Sequence, residues 1–126
     1  MLAEIYLAQA EIRLAGSAWE EARSAAQEAV SLTAGAGHRS FEAHAWRLIS
    51  MVELERGDLQ AAHEALARSR QAMAGATDEL ETGRLAAQAG RIYRREGAVT
   101  QADAELGVAQ AIFTQLGAKL DLERLE

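Results

Sequence analysis

Displaced by 40 residues, the sequence falls onto itself without a gap. Ala22, Ala62 and Ala102 coincide, as do Ile12, Val52 and Ile92. Trp19, Leu59 and Val99 form a third column, and Ala26, Leu66 and Leu106 a fourth. Two further columns hold only small residues: Ala10, Ser50 and Gly90, then Ala29, Ser69 and Ala109. The linkers match as well, with Ala-Gly-Ala at 34–36 and again at 74–76. A fixed interval of this length constrains the chain to an array in which each unit packs mainly on its neighbours.

Within each copy the apolar residues recur at helical spacing. In copy three Ala86, Ala89, Gly90 and Tyr93 share one stripe, and Ala102, Leu106, Ala109 and Phe113 share another. The pattern predicts paired helices at 2–15 and 18–33, 41–56 and 59–73, and 79–96 and 99–116. The segment LDLERLE at 120–126 reads as a seventh helix or the start of a fourth copy. Ala, Leu, Glu, Arg and Gln dominate and proline is absent, so only glycine interrupts the helices. Ser17 with Glu20, and Asp78 with Glu81, have capping-box spacing. Asp58 suits an N-cap, and Gly57 and Gly97 suit tight turns inside the pairs. Ser50 and Ala62 stand where two paired helices are expected to cross closely, and Ala65 where a neighbour packs.

One helix pair cannot bury its own apolar faces, so the pairs must stack. Copy two carries Trp46, Ile49-Ser50, Gly57-Asp58, Ala62 and Leu66; copy three carries Gly90, Tyr93, Gly97, Ala102 and Leu106. Copy one offers Tyr6, Ala10, Trp19, Ala22 and Ala26. At these spacings the chain resembles the tetratricopeptide repeat along nearly its whole length. Its period of 40 exceeds the usual length of about 34, and the repeat-ending proline is missing. It looks like the variant found in large bacterial signal-transduction ATPases and LuxR-type transcription activators. The resemblance implies an all-α, right-handed solenoid of three antiparallel helix pairs plus a C-terminal helix. It implies one domain over 1–126, with repeats near 1–40, 41–80 and 81–118 and a partial helix at 119–126. It further implies a concave groove lined by the first helix of each pair.

On that side copy three presents Arg84, Gln88, Arg91 and Arg95 along one line, with Arg94 beside them. This basic strip belongs to a chain of net charge −6. It suits an acidic peptide, a terminal carboxylate or a phosphate; the alternative is a solvated face paired with Glu53 and Glu55. Copy two presents His44, Arg47, Leu48 and Met51, which suit an amphipathic partner helix. Copy one presents Glu4, Leu7, Ala8, Glu11 and Leu14. The first helix is apolar nearly all round, through Leu2, Ile5, Tyr6, Leu7, Ala8, Ile12 and Leu14. Such a helix implies a piece of a longer array, or a homodimer formed through it.

Other chemistry finds little support. His63-Glu64 begins like a helical zinc motif, but position 67 is Ala. There is no cysteine, no Gly-Lys-Ser/Thr after the glycines at 35 and 37, and no recognisable nucleophile motif. No catalytic residue, metal or cofactor is expected. The acidic balance disfavours nucleic acid. No run of about 18 apolar residues implies a membrane span. The N-terminus carries Glu4 and Glu11 and no basic start, unlike a signal peptide, so the cytoplasm is expected. The expected function is a protein-interaction scaffold taking a peptide or partner helix in its groove, within a larger bacterial regulatory protein. The alternatives are a small-molecule-sensing domain of a transcription regulator and a self-assembling scaffold.

Overall fold

A computed structural model describes residues 2–125. It is all-α, with no strand among the described residues. The helices are α1 (Leu2–Ala15), α2 (Trp19–Thr33), α3 (Arg39–Glu55), α4 (Leu59–Met73), α5 (Glu79–Glu96), α6 (Val99–Leu116) and α7 (Lys119–Arg124). These match the periodicity closely; α3 begins two residues earlier than predicted. Two compact units divide between Ala76 and Thr77. In the first, α1 packs on α2 and α3, and α3 packs on α2 and α4; in the second, α6 packs on α5 and α7.

The turns after α1, α3, α5 and α6 share one geometry. Ala18, Asp58, Ala98 and Ala118 each donate a backbone N–H to the carbonyl five residues earlier, at 2.8–3.0 Å. The residue before each has positive φ: Ser17 at 61°, Gly57 at 84°, Gly97 at 80° and Gly117 at 68°. This is the Schellman closure of a helix C-terminus, which favours glycine at the left-handed position. Ser17 therefore holds the place of Gly57 and Gly97 and does not cap α2. The N-cap of α2 is Ala18, with no side-chain hydrogen bond. The capping box expected from Ser17 and Glu20 is thus replaced by a turn residue. The other expected caps do form: Asp58 accepts from the Ala61 N–H at 3.0 Å and Asp78 from the Glu81 N–H at 3.0 Å.

Small residues sit where paired helices cross. Ser50 donates its hydroxyl to the Ala62 carbonyl at 2.9 Å, and Ser69 donates to the Ala43 carbonyl. All four residues are fully buried. The second unit repeats the crossing 40 residues on without a hydroxyl. A Cβ added at Gly90 would stand 2.6 Å from the Leu106 side chain and 3.5 Å from the Ala102 carbonyl. One at Gly83 would stand 2.7 Å from the Phe113 ring. In the first unit Leu7, Ala10, Ala26, Ala29, Leu48 and Ile49 join one buried cluster, which also takes in Ala65.

Candidate functional site

The residues expected on the groove occupy several different environments. His44 is half-buried, with Nε2 3.3 Å from Glu11 Oε1 on α1 but outside hydrogen-bonding geometry. Arg47 is buried, and its guanidinium lies 3.7 Å from the sulfur of half-buried Met51. Leu48 is only 2% exposed and belongs to the core formed with Ala26 and Ala29 of α2. It therefore offers a partner no surface, which corrects its expected place on an open face. Gln88 is likewise inaccessible, at 0% exposure.

The basic strip of α5 is also divided. Arg84 is held by Asp121 of α7 through two contacts, Nε to Oδ1 at 2.9 Å and Nη2 to Oδ2 at 3.4 Å. Arg91 is half-buried and donates to Gln88 Oε1 at 3.5 Å. Arg94 and Arg95 are exposed on the last turn, and Arg94 borders a cavity of about 380 Å³ with Leu106, Gln110, Leu122 and Leu125. Glu53 meets Arg23 at 3.5 Å, inside the first unit.

A different cleft, of about 850 Å³, opens in the first unit. Its volume falls within the range of about 300–1,000 Å³ common to ligand sites. Arg39, Glu42 and Trp46 line one wall at spacings of three and four, the same face of α3; Arg68, Gln71 and Ala72 line another from α4. Val30 and Ala34 form the floor at the end of α2. Gly35 and Gly37, at φ 73° and 81°, form the turn that borders the cleft. The Arg68 guanidinium lies over the Trp46 ring, 5.1 Å from its centroid. Arg39 donates to the Ala74 carbonyl. Among the described residues neither arginine has a carboxylate partner. In the sequence Trp46 has the place of a repeat signature, and the pattern within the repeat does not disclose this cleft. The available signal was the helical spacing of Arg39, Glu42 and Trp46, joined to the arginine at 68.

Among the described residues no three His, Asp or Glu side chains could hold a metal ion together, and no helix is long and apolar enough to cross a membrane. No protein-family model, curated protein or solved structure matches the chain.

Proposed function

We propose that the chain is a tetratricopeptide-like interaction module, whose helix pairs stack as a solenoid and whose Trp46 cleft takes an acidic peptide segment. The recurrence of one crossing and one turn at intervals of 40 residues supports the repeat reading. The observation that carries the binding reading is the pairing, in one cleft, of a half-buried indole with two arginines that have no carboxylate partner among the described residues. A peptide carboxylate would compete at Arg39 with its bond to the Ala74 carbonyl, and would approach Arg68 where it stacks over Trp46. An apolar side chain two or three residues along the peptide reaches Val30 and Ala34. The indole supplies a rigid anchor at low entropic cost.

The experiment is a fluorescence titration in a Trp19→Phe background, so that Trp46 alone reports. Acidic peptides carrying one aromatic or branched residue should shift its emission at low salt and less at high salt. Arg39→Ala and Arg68→Ala should each weaken binding about 10-fold, the scale of a lost hydrogen bond to a charged group. Unchanged affinity in the double variant, with loss on replacing Arg91, Arg94 and Arg95 by alanine, would move the site to α5.

A further inference from the structure

The first unit shows how one helix pair receives the next. Helix α3 lies on the α1–α2 pair with Ala45 and Leu48 in a core cluster with Ala26 and Ala29 of α2. Val52 is buried beside them on the same helix, at 0% exposure. Helix α1 carries the equivalent residues 40 positions earlier, Ile5, Ala8 and Ile12. There Ile5 is 54% and Ile12 70% exposed, and Ala8 is exposed too. The face that seats α3 is thus repeated on α1, with larger side chains at 5 and 12, a smaller one at 8, and all three exposed.

The α5–α6 pair supplies a seat of the matching kind. Its end is occupied by α7, whose Leu122 and Leu125 pack against the cluster of Ala109 and Phe113. Leu122 and Leu125 stand three periods after Leu2 and Ile5. Helix α7 therefore fills, with six residues, the place that the first turn of an α1-like helix takes.

Charge selects the occupant. Contacts between ionisable side chains cross from the α1–α2 pair to α3, among them Glu11 to His44, Arg23 to Glu53, and Glu20 to Arg56. Transferred to a second copy in the same register, the first becomes Arg91 with Glu4 and the second Asp103 with Arg13. Each transferred pair joins opposite charges, so both are attractive. The third becomes Thr100 with Gly16 and carries no charge.

We infer that this chain associates head to tail with a second copy. Helix α1 of one copy displaces α7 and docks on the α5–α6 pair of the other, in the register of α3 on α1–α2. The contact joins unlike surfaces, so it propagates unless an end is blocked. Helix α7 is an internal competitor that weakens the association without abolishing it. This inference is independent of the Trp46 cleft.

Sedimentation velocity over a dilution series to about 500 µM tests it, the weakest contacts between specific surfaces falling near that range. The wild-type chain should form concentration-dependent oligomers. Ile12→Glu should leave a monomer, with helix content unchanged by circular dichroism. Leu122→Ser with Leu125→Ser, which frees the seat, should tighten association about 10-fold, as expected when a competing internal contact is removed. Arg13→Asp and Asp103→Arg should each weaken it about 5-fold, and the two together should restore it, the signature of a direct charge pair. Monomers throughout, the freed-seat variant included, would overturn the proposal and leave the α1 face to another protein's helices. Association lost with Ile12→Glu yet indifferent to Asp103→Arg would overturn it equally, since that marks an α1-to-α1 contact.

Discussion

Gly90 stands against Leu106 so closely that a methyl group on its α-carbon would lie 2.6 Å from the leucine side chain. In copy one the same two positions are Ala10 and Ala26, both buried. The first helix of each pair keeps a small residue at this crossing, Ala10, Ser50 or Gly90, while the residue facing it varies from Ala26 to Leu66 and Leu106. Gly90→Ala brings overpacking of about 1–3 kcal/mol, set against about 1 kcal/mol of helix propensity. A net loss of about 1 kcal/mol is expected. In a Leu106→Ala background the clash is gone, and the same substitution should stabilise by about 0.5–1 kcal/mol through propensity alone. Thermal unfolding of the four chains reads the sign change; a Gly90→Ala effect of the same sign in both backgrounds would show that the two side chains do not share the space.

Ser17 pays for its position in backbone strain. It occupies the left-handed turn site that glycine fills at 57, 97 and 117, with φ of 61°. A left-handed residue bearing a Cβ costs about 1–2 kcal/mol, while glycine lowers stability by about 0.4–1 kcal/mol through the unfolded chain. Ser17→Gly should therefore stabilise the first unit by about 0.5–1 kcal/mol, measured by urea unfolding. A destabilised Ser17→Gly chain would mean that the serine hydroxyl has a role in the turn beyond its backbone.

Much of this architecture is written in side-chain size. The column of Ala10, Ser50 and Gly90 is legible in the sequence because close helix crossings tolerate little else. Helix boundaries were equally legible, since proline is absent and Gly57 and Gly97 punctuate the pairs. Ser17 departs from its expected cap: its spacing to Glu20 satisfies a capping rule, whereas the repeat aligns it with Gly57 and Gly97 in a turn. The expected binding set suffered from a different difficulty. Leu48 shares a helical face with His44 and Met51, and spacing alone does not reveal that α2 lies against its part of that face. Arg84 likewise found a partner, Asp121, in a segment 37 residues away. Contacts of that kind depend on how helices stack, which periodicity within one helix does not encode.

The Arg84–Asp121 pair is the polar anchor of α7. Asp121 is mostly buried and Arg84 about one-third exposed on its side chain, so solvent screens the pair only in part. A double-mutant cycle with Arg84→Ala and Asp121→Ala should give a coupling of about 0.5–1 kcal/mol. Its local readout is hydrogen exchange. Amides at 119–125 should exchange several-fold faster in either variant, while those of α5 keep their protection. Equal acceleration in both helices would show that the pair supports the whole unit and not α7.

Ala62 tests the crossing from the opposite side. Its methyl group is fully buried, and its carbonyl receives the Ser50 hydroxyl at 2.9 Å, so both side chain and backbone are fixed by α3. Ala62→Leu adds three carbons at that point and should cost about 1–3 kcal/mol. Ser50→Ala removes one buried hydrogen bond and should cost about 1 kcal/mol. The two effects should not add. Once leucine has pushed the helices apart, the hydroxyl no longer reaches the carbonyl, and its removal changes little further. Unfolding free energies that sum for the double variant would mean that leucine is accommodated without separating α3 from α4, and the small residues at this crossing would then need another explanation.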